Sequence, residues 1–250
     1  MAPMPIMHAA IMLLAFGVFA AAWFCQPNRD AIAGMAWWQR LAVPLALFLG
    51  LTYAAKLPFV LTGVGWLSDG KSLVTGLTGG YLAVETVRLA FRLPRAARDL
   101  LALPLALALM LARWGCFCDG CCRGTETSLP WGVDFGDGIC RHPTQIYEML
   151  FFGLMAGLLL RLSCRRTFSG YRLHLCLIAY CVFRFALETI RLEPSSLWGL
   201  TFSQWGAALL GAVLAIQAQG ERWEYARPAV TACPRPCRAG PIRALLRNRR

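Results

Sequence analysis

The sequence predicts an all-α protein that crosses a membrane about seven times, with its N-terminus in the periplasm and its C-terminus in the cytoplasm. Three properties of the 250-residue chain support this: 58% of its residues are apolar, long apolar stretches recur, and basic residues concentrate in alternate loops. Charged residues make up 15% of the chain, against about 25% in soluble domains. A soluble fold could not bury so much apolar surface, so we expect the bilayer to be its solvent.

A membrane-spanning helix needs about 20 mostly apolar residues. By this criterion we predict spans near 7–25, 41–65, 72–91, 99–115, 145–162, 173–190 and 199–217. We interpret the first stretch as a helix rather than a signal peptide, because no Lys or Arg precedes Arg29. The third, LVTGLTGGYLAVE, is rich in small residues that favour close helix packing. Residues 1–218 are therefore predicted to form one seven-helix membrane domain.

The loops between these spans predict the orientation. Basic residues concentrate in the first, third and fifth loops, at Arg29, Arg40, Arg92, Arg95, Arg98, Arg165, Arg166 and Arg172. Cytoplasmic loops carry such an excess, so the fourth loop, about 114–144, is predicted to face outward. The segment 219–250 is rich in Arg and Pro, and we predict a disordered, basic cytoplasmic tail.

The net charge of +12 raises the question of a nucleic-acid partner. Arginines on cytoplasmic loops and a tail explain the charge better, because they orient the protein and meet anionic lipid. We therefore predict membrane lipid as a partner and no nucleic acid. Cys233 and Cys237 lie in the tail without a His or a second Cys pair to complete a metal site.

The sixth predicted span carries ionisable residues at helical spacing. Tyr180, Arg184, Glu188 and Arg191 follow one another at intervals of four, four and three residues, which places them on one helix face. Charges in a membrane are costly and indicate function. Arg184 can bind a phosphate through two hydrogen bonds, and Glu188 can hold an arginine or accept a proton. A purely structural Arg–Glu pair is the alternative.

The segment RHPTQIYE, residues 141–148, precedes and opens the fifth predicted span. Pro143 suits the first turn of a helix. Arg141 and His142 then lie at the positive end of that helix, which favours an anionic headgroup. His142 is either a base near neutral pH or a capping donor, and we favour the functional interpretation.

The stretch RWGCFCDGCCRG, residues 113–124, holds Cys116, Cys118, Cys121 and Cys122, and Cys140 follows. The C-x-C-x-x-C-C pattern fits neither zinc nor ferredoxin-type spacing. On the periplasmic side disulfides are permitted. Disulfides or packing thiols, a free functional thiol and, least favoured, a metal site remain open. We predict no metal at the site.

Four stretches, in order, resemble the prolipoprotein diacylglyceryl transferase family. The family signature Arg-Ile-Gly-Asn-Phe-Ile-Asn-Gly-Glu-x-x-Gly is matched at Arg113, Gly115, Phe117, Gly120 and Gly124. A Leu-Pro-Trp element is matched by SLPWGVDF at 128–135, and an Arg-His-Pro-Ser-Gln-Leu-Tyr-Glu run by residues 141–148. A last run is matched at Tyr180, Phe183, Arg184, Glu188 and Arg191, followed by GLTFSQW. The resemblance covers residues from about 50 to 215.

The chain departs from the family pattern at specific places. Cys116, Asp119 and Cys121 stand where the signature has Asn, Asn and Glu. Val74 stands where the family has the His of a His-Gly-Gly-Leu-Ile-Gly stretch. The family's N-terminal Tyr has no evident counterpart, although His8 and Ala9 lie nearby.

The resemblance implies a multi-pass enzyme of the bacterial plasma membrane with its active site toward the periplasm. Such an enzyme moves the diacylglyceryl group of phosphatidylglycerol to the lipobox cysteine of a prolipoprotein, whose signal peptide docks between the spans. No cofactor is needed. The implied catalytic residues are Arg113, Arg184, Glu188 and His142, with Arg113 and Arg184 on the phosphate and Glu188 or His142 as the base.

The implied substrate-binding residues are Gly115, Cys116, Asp119, Gly120, Cys121, Gly124, Arg141, Gln145, Tyr147, Glu148, Tyr180 and Arg191. Two other functions stay open at this point. One is a transferase on the same scaffold with another phospholipid headgroup acceptor. The other is a non-catalytic membrane protein whose cysteines form disulfides.

Overall fold

A computed structural model of the chain describes residues 5–25, 32, 34–61, 63, 72–191 and 195–226. The fold is mostly helical. The helices are α1 Pro5–Phe24, α2 Trp37–Leu61, α3 Leu73–Ala90, α4 Ala96–Asp99, α5 Ala102–Cys118, α6 Thr144–Cys164, α7 Arg172–Leu187 and α8 Phe202–Ala226. A 3-10 turn, Glu188–Ile190, follows α7. Two short antiparallel pairs join β1 Val133–Asp134 to β2 Cys140–Arg141 and β3 Ser195–Leu197 to β4 Leu200–Thr201.

Each of the predicted spans coincides with a helix of the structure. Within the part of the chain that the structure describes, five helical stretches are long and apolar enough to cross a membrane: Ile6–Phe24, Trp37–Val60, Ala96–Cys118, Thr144–Cys164 and Arg172–Ile190. Helices α3 and α8 occupy the third and seventh predicted spans but do not reach the same apolarity. Large apolar side chains such as Leu13, Leu45 and Leu154 are exposed on the bundle, as lipid-facing side chains are. The protein is therefore a multi-pass membrane protein.

Helices α2 and α3 approach each other through glycines. A side chain at Gly79 would collide with Ala54 and lie 2.7 Å from the Gly50 carbonyl oxygen. A side chain at Gly76 would lie 3.0 Å from the Leu51 carbonyl oxygen. The prediction that small residues bring the third span close to a neighbour is confirmed.

Helix α5 positions the site. It packs against α1 and α6, and its Leu101–Ala106 end lies in the apolar core. At that end Asp99 accepts hydrogen bonds from the backbone N–H groups of Gly170, Arg172 and Leu173. The carboxylate thereby caps the start of α7. The other end of α5, at Cys118, carries the polar residues described next.

Candidate active site

Glu148 of α6 lies at the centre of a buried ionic cluster where α5, α6 and α7 meet. Its Oε2 lies 2.8 Å from Arg113 Nε of α5, and its Oε1 accepts from Arg113 Nη2 at 3.2 Å. From α7, Tyr180 donates its hydroxyl to Oε1 at 2.9 Å, and Arg184 Nη1 lies 3.5 Å from the same oxygen. The Glu148 side chain is 0% exposed, so these contacts take the place of water.

Glu188, in the 3-10 turn, is the second carboxylate of the cluster. Its Oε2 lies 2.9 Å from Arg184 Nη2 and 3.8 Å from Arg191 Nε. Its Oε1 accepts a hydrogen bond from Thr201 Oγ1 at 2.8 Å. The predicted face of Tyr180, Arg184, Glu188 and Arg191 therefore does converge, although α7 ends at Leu187 and Arg191 is extended.

The cluster brings three arginines and two carboxylates together. Among the residues that the structure describes, the buried Arg184 Nε makes no hydrogen bond. Buried N–H groups normally have partners, so this donor and the converging guanidinium groups suit an anionic ligand. Arg184 links the two carboxylates and is the natural centre of such a site.

The loop after α5 is shaped by a glycine. Asp119 is the C-cap of α5, and Gly120 follows with a left-handed φ of +64°. Gly120 N–H donates to the Phe117 carbonyl at 3.1 Å, and Cys121 N–H to the Cys116 carbonyl at 3.2 Å. These two bonds form a Schellman motif, in which glycine is favoured because it tolerates positive φ. Gly120 therefore has a backbone role.

The rest of the loop is held against α6. Thr144 and Gln145, both buried, donate to the Cys122 and Cys121 carbonyls. Gly124 passes so close to its neighbours that a side chain there would lie 2.7 Å from both His142 Cβ and the Ile190 carbonyl oxygen. The structure thus places Gln145 and Gly124 in supporting positions around the arginine cluster.

Three thiols line this loop beside the arginines. Arg113 Nη1 lies 3.9 Å from Cys116 Sγ, and Cys121 Sγ lies 3.5 Å from the Cys116 carbonyl oxygen. Hydrogen bonds from Cys116 and Cys121, together with the charges of Arg113 and Arg191, lower the pKa of Cys122. Hydrogen bonds with Cys116 and Cys122, together with burial, raise the pKa of Cys121.

Every cysteine that the structure describes, from Cys25 to Cys181, is a free thiol. Within those described residues no group of three metal-ligating side chains comes together. Cys233 and Cys237 lie outside the described residues. The loop cysteines are therefore thiols placed at the edge of the arginine cluster.

Three predicted site residues lie in a separate, more exposed group. Arg141 Nε donates to Asp137 Oδ2 at 2.9 Å, and this bond lowers the pKa of the exposed Asp137 carboxyl. His142 Nδ1 lies 3.2 Å from the Tyr147 hydroxyl, which also accepts from Trp131 Nε1 at 2.9 Å. The side-chain hydrogen bonds of Arg141, His142 and Tyr147 join members of this group, whereas Arg113 and Arg184 pair with Glu148 and Glu188.

Sequence reasoning missed several members of the site. Thr201 and Ser203, in the GLTFSQW stretch, contact Glu188 and Arg184, and that stretch was a usable signal. His8 Nδ1 of α1 lies 2.7 Å from Asp119 Oδ2, a contact that crosses more than a hundred residues of sequence. Gly115 makes room for it, because a side chain there would lie 2.9 Å from Met12 Cε and 3.5 Å from His8 Nδ1.

Comparison with known proteins identifies a family. The family model described as prolipoprotein diacylglyceryl transferase matches residues 6–218.

Three relatives are named phosphatidylglycerol--prolipoprotein diacylglyceryl transferase. That of Aliarcobacter butzleri is 28% identical over 223 residues, covering 80% of this chain and 79% of the relative. That of Solidesulfovibrio magneticus is 33% identical over 205 residues, covering 74% and 77%. That of Clostridioides difficile is 33% identical over 141 residues, covering 56% and 55%. With the arginine cluster in place and most of its length matched, the chain belongs to the prolipoprotein diacylglyceryl transferase family.

Proposed function

We propose that this protein transfers the diacylglyceryl group of phosphatidylglycerol to the thiol of the lipobox cysteine in a prolipoprotein. The observation that carries the proposal is the buried cluster in which Arg113, Arg184 and Arg191 converge around Glu148 and Glu188. Family membership and the names of the relatives supply the two substrates.

The reaction makes two demands on the site. The acceptor thiolate attacks the glyceryl carbon, the S–C bond forms, and the C–O bond to phosphate breaks. The electron pair leaves with glycerol phosphate, on which negative charge develops. Preorganised cations stabilise such charge most effectively where water is excluded. Arg113 and Arg184 perform this role, Arg191 assists, and Glu148 and Glu188 hold the guanidinium groups in position.

Loop and helix residues around the cluster form the substrate site. The backbone at Gly120 and Gly124 gives the loop after α5 its shape, and Gly115 of α5 leaves room beside it. Gln145 donates to the Cys121 carbonyl of the loop, and Tyr180 donates to Glu148 beneath it. Cys116, Cys121 and Asp119 replace polar side chains of the family signature and line the same loop. Phosphatidylglycerol enters sideways from the bilayer, and the signal peptide docks between helices.

The positive-inside pattern supports a location in the bacterial plasma membrane with about seven spans. In this arrangement α3 and α8 also cross the bilayer, and the arginine cluster lies at the periplasmic face. Residues 1–218 form the membrane domain, and 219–250 form the cytoplasmic tail.

Transfer of a labelled diacylglyceryl group tests the proposal. Purified protein in detergent is given labelled phosphatidylglycerol and a lipobox peptide, and the peptide is analysed by mass spectrometry. We expect label on the peptide with release of one glycerol phosphate per transfer. A peptide with Ser in place of the lipobox Cys is the matched control and stays unlabelled. Well-folded protein that releases no glycerol phosphate would contradict the proposal.

A further inference from the structure

The transferase chemistry needs a group that takes the proton of the acceptor thiol, and the contacts in the site restrict which group this is. Glu188 is 0% exposed, and its carboxylate is engaged by Arg184, Arg191 and Thr201, so it already serves to hold the arginines. His142 is engaged by Tyr147 in the exposed group. His174, the third histidine of the chain, is buried and its Nε2 lies 3.1 Å from the Tyr81 hydroxyl in the core.

His8 lies next to a carboxylate at the edge of the site. Its Nδ1 lies 2.7 Å from Asp119 Oδ2, and the two side chains are 29% and 23% exposed. With Nδ1 facing the carboxylate, Nε2 is the ring nitrogen left to accept a proton. A histidine oriented in this way by an acidic partner is the usual arrangement of a general base. The partial exposure leaves it accessible to a substrate thiol.

One face of α5 connects the His8–Asp119 pair to the arginine cluster. Arg113, Cys116 and Asp119 follow one another at intervals of three residues on α5 and its C-cap, so neighbouring members contact the same strip of helix surface. Arg113 begins this row in contact with Glu148. Asp119 ends it in contact with His8. A substrate lying along the row meets the phosphate-binding arginine at one end and the histidine at the other.

Both members of the pair also lie where this chain departs from the family pattern. Asp119 replaces a signature Asn, His8 lies near the place of the N-terminal Tyr, and Val74 replaces the family His. Val74 is buried, and a side chain added at Gly206 of α8 would lie 3.1 Å from Val74 Cγ1. His8 and Asp119, which contact each other, therefore supply a histidine to a site in which Val74 stands in place of the family His.

We propose that His8, oriented by Asp119, is the general base that deprotonates the acceptor thiol. This rests on the proposed transferase function. The S–H proton moves to His8 Nε2, the thiolate forms the S–C bond, and the electron pair of the broken C–O bond leaves on glycerol phosphate. Asp119 is a positioning residue that holds the ring beside the acceptor.

The test compares acceptor peptides that carry Cys or selenocysteine in the lipobox. A selenol is already ionised at neutral pH, so its transfer needs no base, whereas a thiol does. His8→Gln is expected to lower the rate with the Cys peptide on the order of 100-fold and to leave the selenocysteine rate within a few-fold of wild type. Asp119→Asn should show the same pattern with a smaller loss. Ile6→Gln, at an 85% exposed position of α1, is the control and retains both rates.

The outcomes separate the two proposals. Equal losses with both peptides would show a structural role for His8 and overturn the inference, as would an unchanged Cys rate in His8→Gln. Asp119→Asn keeps the test decisive if His8→Gln fails to fold. Wild-type protein that transfers to neither peptide would instead contradict the proposed transferase function.

Discussion

At the scale of single residues, the spacing of α7 predicted which side chains share a face, but not their partners. Tyr180 and Arg184 were placed together because a helix repeats every 3.6 residues. Glu148 could not be assigned as their shared partner, because that contact crosses from α6 to α7. The same limit applies to His8 and Asp119. Local periodicity determines a face, whereas tertiary packing determines which faces meet.

Glu148→Gln tests the structural importance of the buried carboxylate. The amide can still accept from Tyr180, but Arg113 loses its charged partner in a buried site. Breaking a buried pair from one side costs about 3–5 kcal/mol, so we expect a clear fall in unfolding temperature in detergent. Asp137→Asn makes the same chemical change at an exposed carboxylate and should leave the unfolding temperature unchanged. Equal behaviour of the two variants would contradict the buried cluster.

The Cys122 thiol provides a pH test of the loop. Its lowered pKa means that the thiolate persists below the pH at which an ordinary thiol, with a pKa of about 8.5, becomes protonated. Alkylation of Cys122 by iodoacetamide should therefore rise less steeply between pH 6 and pH 8 than alkylation of an ordinary thiol. Cys121, whose pKa is raised, is the internal control and should react slowly throughout. A Cys122 rate that rises about tenfold per pH unit would contradict this prediction.

At the scale of elements, composition predicted helices and close packing well, whereas the connections between helices were harder to foresee. The glycines of α3 indicated a tight contact, and α2 provides it through Gly50 and Ala54. Asp99, however, caps α7 from a position more than seventy residues earlier. No local pattern indicates such a cap, because it depends on how the loop before α7 folds back over α4.

Gly79→Leu tests the α2–α3 contact. A side chain there collides with Ala54 and approaches the Gly50 carbonyl. Overpacking of this kind costs about 1–3 kcal/mol, so we expect a lower unfolding temperature in detergent and less protein in the membrane. Gly17→Leu is the matched control on α1, where nothing lies within 4 Å of an added Cβ. Retained stability in Gly79→Leu would show that the two helices are further apart.

At the scale of the whole molecule, the charge distribution carries the prediction of orientation. Basic residues concentrate in the first, third and fifth predicted loops and after residue 217, and cytoplasmic segments of membrane proteins carry such an excess. The motifs of the family resemblance fall on the ends of α5, α6 and α7 that meet in the structure. The contact between His8 and Asp119, at two positions where the chain departs from the family pattern, is visible only in the three-dimensional structure.

Reporter fusions test the orientation. Green fluorescent protein fused after Arg250 is expected to fluoresce, because it folds in the cytoplasm. Alkaline phosphatase fused after Gly138, an exposed position between β1 and β2, is expected to be active, because it matures in the periplasm. The same two reporters exchanged between these positions should be silent. Activity of phosphatase at the C-terminus would reverse the predicted topology and place the arginine cluster at the cytoplasmic face.

The most direct test of the central claim is the rate of diacylglyceryl transfer by Arg184→Lys. Lysine keeps the positive charge but loses the planar donors that reach both Glu148 and Glu188. We predict that kcat falls on the order of 100-fold while KM for phosphatidylglycerol changes little, because the lost contact acts on the departing phosphate. Arg161→Lys, on the exposed end of α6, is the control and keeps full activity. An Arg184→Lys protein as active as wild type would contradict the assignment of this cluster as the phosphate site.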